Sequence, residues 1–208
     1  MATSRVLMVV RAVAVLLVLA AIVVQAIVLA QAGRFDATRY FAFFTIQSNL
    51  IGVAAFAWLL ANGERPRSRA LELLRGAAAV YLTVTFVVVI LLLSDVDVQL
   101  QVNWAEFTLH KLFPIVVVLD WLVDPPRVSL SLRDALIWLV YPLIWTGLTI
   151  GRGAADGWYP YPFLDPANGG YAGVVIAVAG ITMGFVLLAF GTVAIGNARR
   201  RAMPAAAA

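Results

Sequence analysis

The sequence predicts an all-α membrane protein, a bundle of six transmembrane helices with both termini cytoplasmic. Three observations predict it. Of the 208 residues, 63% are hydrophobic and only 12% are charged, against roughly 45–50% and 25% in an ordinary soluble domain. The apolar residues gather into six runs, each near the roughly 20 residues a helix needs to cross about 30 Å of hydrocarbon. The arginines collect in alternate connecting segments, as membrane topology signals do.

The runs fall at 6–30, 41–61, 71–94, 104–123, 132–151 and 171–196. The first, "RAVAVLLVLAAIVVQAIVLAQA", ends in an A-x-A pattern like a signal-peptide cleavage site. Its apolar stretch is well beyond the 7–15 residues of a signal h-region, so it reads as a retained helix. Glycine, proline and charge punctuate the breaks "QAGRFDATR", "NGERPRSR", "SDVDVQLQ", "DPPRVSLS" and "GRGAADGWYPYPFLDPANGG". Residues 1–197 read as a single transmembrane domain without internal repeats, and 198–208, "ARRRAMPAAAA", as a basic, disordered cytoplasmic tail. With the N-terminus inside, eleven arginines fall in inner segments, and only Arg34, Arg39 and Arg152 in outer ones. That bias sets the orientation expected of a multi-pass protein of the cell membrane. Asp36, Asp95, Asp97, Glu106, Asp156 and Asp165 lean outward.

Composition also excludes chemistries. There is no cysteine, hence no disulfide, thiolate metal site or cysteine nucleophile. One histidine and scattered carboxylates make a poor zinc set. No flavin, nicotinamide or nucleotide motif is present, so neither metal nor cofactor is expected. The net charge of +4 sits in short arginine runs beside apolar segments, not in a basic groove for nucleic acid. Oligomeric state is left open.

The polar residues of the spans carry the functional signal. "FAFFTIQSNLIG" (41–52) places Thr45, Gln47, Ser48 and Asn49 inside the second run. Thr45, Asn49, Gly52 and Phe56 share one helical face, bordered by Ser48, and the small Gly52 permits close approach of a neighbour. In "NWAEFTLHKLFPIVVVLDWLVDPP" the only histidine, His110, follows Glu106 by four residues and Asn103 by seven, again one face. Thr45 and His110 each lie within about two turns of the outer end of their helices, so both are placed at similar depth. Contact between those helices does not follow from the sequence.

Bland roles compete. A membrane threonine usually bonds its own preceding carbonyl, and Gln47, Ser48 and Asn49 could glue helices at about 0.6 kcal/mol each. Lys111 can snorkel to the outer interface. Asp120 lies toward the inner end, where loop arginines can pair with it. An ionisable histidine inside a membrane, however, defaults to function. Histidine is the natural base for a threonine hydroxyl, with Glu106 or Asn103 orienting the imidazole. Asn49 or Ser48 could donate to a developing oxyanion. In the loop after the fifth run, Trp158, Tyr159 and Tyr161 suit the interface, and Pro160, Pro162 and Pro166 stiffen the backbone and forbid a continuous helix; the loop is either an interfacial anchor or a rigid cap over a pocket. Arg152 is the expected cation there, for a carboxylate head group. The chemistry these groups support is acyl transfer to Thr45 and hydrolysis of a lipid ester arriving from the bilayer.

The segments "FFTIQSNL", "HKLFPIVVVLDW", "YPLIW…GRG" and "GWYPYPFLDP" resemble the bacterial branch of the androgen-induced and androgen-dependent membrane protein family. The resemblance spans nearly all six runs and is looser toward the animal members. It implies a six-helix intramembrane threonine hydrolase of fatty acid esters of hydroxy fatty acids. It further implies that Thr45 and His110 are the essential pair. The alternative is a non-catalytic lipid or small-molecule binding or transport protein, against which stand the off-centre polar cluster and the lack of repeats. A scaffold with a Ser48–Asn49–Gly52 packing seam is a third reading.

Overall fold

A computed structural model describes residues 2–93 and 102–203, with side chains from residue 5 onward in the first helix. The break at 94–101, with Asp95 and Asp97, and the final residues 204–208 lie outside the described residues. Every regular element among the described residues is helical. Helix α1 (Ala2–Gln31) leads through the short α2 (Ala37–Tyr40) into α3 (Phe44–Asn62), followed by α4 (Arg69–Leu92). Next come α5 (Asn103–Phe107), a π-turn (Thr108–Leu112) and α6 (Phe113–Val123), continuing one another without a gap. Helices α7 (Leu132–Asp156) and α8 (Gly170–Ala202) complete the chain. Five of these, α1, α3, α4, α7 and α8, are long and apolar enough to cross a membrane.

Local chemistry sets the ends. Asp36 accepts the Thr38 and Arg39 amides at the start of α2, and Ser68 accepts the Leu71 amide in α4. Ser131 and Asp134 form a reciprocal capping box on α7. Gly157 ends α7 in the left-handed region, at φ 72°, which only glycine adopts at no cost. Helix α8 runs on to Ala202 with Arg199, Arg200 and Arg201 in its last turn. The disordered tail expected from residue 198 is therefore helical through Ala202. Alanine and arginine are strong helix formers, no proline lies within α8, and the arginines suit the negative end of the helix dipole.

Helix α4 is central, packing on α3, α6, α7 and α8. Gly52 makes the α3 contact tight: a Cβ there would lie 2.6 Å from the Phe113 ring and 2.9 Å from Leu82. Within α7, Pro142 has no N–H for the Trp138 carbonyl, and the Tyr81 hydroxyl donates to that carbonyl instead, at 2.8 Å.

The two ends of the bundle differ in chemistry. At one end the starts of α1 and α4 and the end of α6 share a buried ionic network. Arg11 pairs with Asp120 at 2.7 Å and Asp124 at 2.5 Å, and Arg75 with Asp120 at 2.9 Å and Glu72 at 2.7 Å. Arg67 and Arg127 also bind Asp124. Asp120 thus takes the helix arginines Arg11 and Arg75 instead of the loop arginines expected, and Arg67 and Arg127 pair with Asp124, one turn further along the chain. At the other end, α2, the start of α3, the π-turn and the 157–169 loop form a cap.

Candidate functional site

Thr45 is the second residue of α3, and His110 the third of the π-turn. Their reach across the bundle is close: Thr45 Oγ lies 3.2 Å from His110 Nε2, and both residues are buried. Thr45 therefore does more than bond its own helix.

The π-turn that carries His110 has an origin in the sequence "LHKLFP". In a regular helix the Pro114 ring would collide with the His110 carbonyl. The turn widens, and the Phe113 amide bonds the carbonyl of Thr108, five residues back. That strands the Leu109 carbonyl. Its α-helical donor, Phe113, is committed to Thr108, and the donor one residue on is Pro114, which has no N–H. Asn49 supplies the missing donor: its Nδ2 donates to Leu109 O at 3.0 Å and to Thr45 O at 2.8 Å. One amide thus fixes the register of α3 against the π-turn.

This geometry corrects several expectations. Asn49, wholly buried, has both its N–H groups committed and cannot serve an oxyanion. Ser48 Oγ lies 3.1 Å from both Thr45 O and Thr85 Oγ. Thr85 spends its proton on the Tyr81 carbonyl, so the Ser48 proton is shared between those two acceptors and faces away from the Thr45 hydroxyl. Neither Glu106 nor Asn103 orients the imidazole: His110 Nδ1 has no hydrogen-bond partner of ordinary geometry and faces the Glu106 backbone. The widened turn breaks the i, i+4 register that would have aligned those side chains, and Asn103 is exposed. Arg152 bonds Thr38 O at 3.1 Å, Thr38 Oγ1 at 3.2 Å and Asp156 at 3.1 Å, and its guanidinium lies over the Trp158 ring. It braces the cap from outside and does not line the cavity described next.

Sequence reasoning placed Tyr161 at the interface; the cap loop turns it inward. Its ring stacks on Phe163, with centroids 5.2 Å apart, and meets the edge of Phe43 at 5.6 Å. Its hydroxyl accepts the Thr45 amide at 3.2 Å and lies 3.3 Å from Thr45 Oγ. The Thr45 amide is one of the orphan donors of a helix first turn, so the phenol completes the start of α3. Burial pushes the Tyr161 phenol up, against the pull of its hydrogen bonds with the Thr45 side chain and with the Thr45 and Phe44 amides. It therefore keeps its proton at neutral pH.

No family model, curated protein or solved structure matches this chain.

Two cavities meet at this cluster. One, of about 400 Å³, has Thr45, His110 and Tyr161 among its buried lining and Arg34, Asp36 and Arg39 at its exposed rim. The rim cations are thus Arg34 and Arg39, the latter stacked over Trp158. The second, about 60 Å³, shares Thr45 and Tyr161 and runs between α4, α7 and α8 past Val84, Leu143 and Phe185. A polar chamber and an apolar slot so flank a single hydroxyl. Among the described residues, no three His, Cys, Asp or Glu side chains are grouped to hold a metal ion.

Proposed function

We propose that this chain is an intramembrane hydrolase of lipid esters, fatty acid esters of hydroxy fatty acids or chemically similar lipids, with Thr45 as nucleophile and His110 as base. The observation that carries the reading is the 3.2 Å approach of Thr45 Oγ to His110 Nε2 at the junction of a polar and an apolar cavity. A nucleophile and base within hydrogen-bond reach are the minimum a covalent acyl transfer needs. For Thr45 to donate to Nε2, the ring proton resides on Nδ1, the tautomer a general base requires.

In this scheme Thr45 Oγ attacks the ester carbonyl carbon and its proton passes to His110 Nε2. The ester C–O bond breaks, and the leaving alcohol takes that proton, leaving an acyl-threonine. Water from the polar cavity then adds to the acyl carbon, giving its proton to His110. The C–Oγ bond breaks, the fatty acid leaves, and Thr45 regains its proton. The apolar slot, at about 60 Å³, suits the first methylenes beside the ester carbonyl.

The reading includes six spans, with α5, the π-turn and α6 together as the fourth, both termini cytoplasmic and the Thr45–His110 end facing outward in the cell membrane. Arginine distribution supports that orientation. The resemblance to androgen-induced and androgen-dependent membrane proteins supports the substrate class. Purified protein in micelles should hydrolyse such esters, and Thr45→Ala and His110→Ala should each lower turnover at least 10³-fold. Undiminished turnover in either variant rules the mechanism out. The competing reading, lipid binding or transport without chemistry, draws on the lack of a side-chain partner for His110 Nδ1. It requires wild-type protein to take up the ester and release it intact.

A further inference from the structure

An acyl transfer at Thr45 needs a donor for the negative charge that develops on the carbonyl oxygen, and the polar groups around the site can be sorted by whether a proton remains unspent. Ser48 and Asn49 have given theirs to backbone carbonyls and to Thr85. Arg152 is engaged with Thr38 and Asp156 outside the cavity. Tyr161 differs. Its oxygen accepts the Thr45 amide, which uses a lone pair and leaves the O–H proton available. The same oxygen sits 3.3 Å from the attacking atom, and the residue lines both cavities. A carbonyl whose carbon is held against Thr45 Oγ can therefore turn its oxygen into hydrogen-bond range of this phenol. The amide feeding into the phenol belongs to the first turn of a 19-residue helix, whose positive dipole end favours negative charge beside it.

We infer that Tyr161 is a third catalytic residue, donating its phenolic hydrogen bond to the oxyanion of the tetrahedral intermediate formed on Thr45. The inference rests on the ester-hydrolase reading. In the ground state the phenol proton turns to the Thr45 oxygen. As the Oγ–C bond forms, the carbonyl π pair moves onto the carbonyl oxygen and the phenol hydrogen bond follows it. No proton is transferred by Tyr161, and the bond relaxes when the intermediate collapses.

The test is Tyr161→Phe, which keeps the ring contacts with Phe163 and Phe43 and deletes only the hydroxyl. Three quantities are measured on purified protein: kcat and KM for one ester, and inhibition by a trifluoromethyl ketone that forms a tetrahedral adduct with a hydroxyl nucleophile. The expected result is a fall in kcat of about 10²- to 10³-fold, the range for loss of one oxyanion donor, with KM within about twofold. The ketone should weaken in proportion to kcat/KM, because it presents the same oxyanion. Wild-type kcat in the variant overturns the assignment. A rise in KM matched by equal weakening of substrate and ketone, with kcat kept, assigns Tyr161 to packing and also overturns it. If wild-type protein neither hydrolyses the ester nor binds the ketone, the hydrolase reading itself fails and this inference with it.

Discussion

A buried amide such as Asn49 is read most safely by counting its donors. Both of its N–H groups serve backbone carbonyls, one of them the Leu109 carbonyl stranded by Pro114. Asn49→Leu leaves that carbonyl without a partner, at a cost of about 1 kcal/mol. Thermal unfolding in detergent should show a midpoint lower by about 2–4 °C, with a larger loss of turnover as His110 drifts from Thr45. The sequence placed Thr45 and His110 at similar depth from helix length alone, but their 3.2 Å contact was not legible, because nothing in it says which helices are neighbours. Tyr161 was not legible. The fold of a proline-rich loop decides whether its aromatics face lipid or the bundle, and three tyrosines and tryptophans within four residues all suit an interface. A small signal existed in that only a stiff loop can press a side chain inward and hold it there. The choice of cation failed for a related reason: Arg34, Arg39 and Arg152 are equivalent on an outer-loop count, and the contacts of α2 decide which of them line the cavity.

At the scale of elements, the informative departure is the π-turn. The run 104–123 was read as one regular helix, which put Asn103, Glu106 and His110 on a single face. Pro114 was visible in that run, and a proline four residues after His110 collides with its carbonyl whatever the hydrophobic pattern says. The bundle accommodates it by widening the turn and recruiting Asn49 from the facing helix. Replacing Pro114 by alanine restores a donor and removes the collision, so the segment should tighten toward regular α-helix. Stability should be unchanged or higher, while turnover falls at least tenfold as the imidazole rotates off Thr45. Calorimetry with a steady-state assay on Pro114→Ala checks this, and full activity in a stabilised variant would disconnect the turn from the site. The end of α8 departs the other way: residues 198–202 are helical where charge and low complexity predict disorder, because alanine and arginine are good helix formers.

For the whole molecule, hydrophobic runs predicted the all-helical architecture and the five helices long and apolar enough to cross a membrane, because a bilayer-length helix must be nearly uniformly apolar. Helix order in space was not accessible, since tight contacts such as Gly52 against Phe113 are set by shape and not by period. The ionic network at the charged end holds α1, α4 and α6 together. Burial favours the neutral form of Asp124, yet its hydrogen bond with Arg67, then the charge of Arg75 and the bond from Arg11, lower it from 3.8 to about 2. A carboxylate lowered in the folded state contributes stability that is complete above its unfolded value and lost as pH falls through the folded one. The unfolding midpoint should therefore be flat above about pH 5 and fall between about pH 4 and pH 2. Asp124→Asn should lower the midpoint at neutral pH and flatten the acid limb; an unchanged acid limb would place the acid-sensitive group elsewhere.

The most direct measurement is mass spectrometry of the purified protein after reaction with a fluorophosphonate, with the adduct located by fragmentation. A single adduct on Thr45, lost in Thr45→Ala and strongly slowed in His110→Ala, is the expected result. Labelling at another residue, or at Thr45 with equal speed in His110→Ala, would contradict a hydroxyl activated by the imidazole 3.2 Å away.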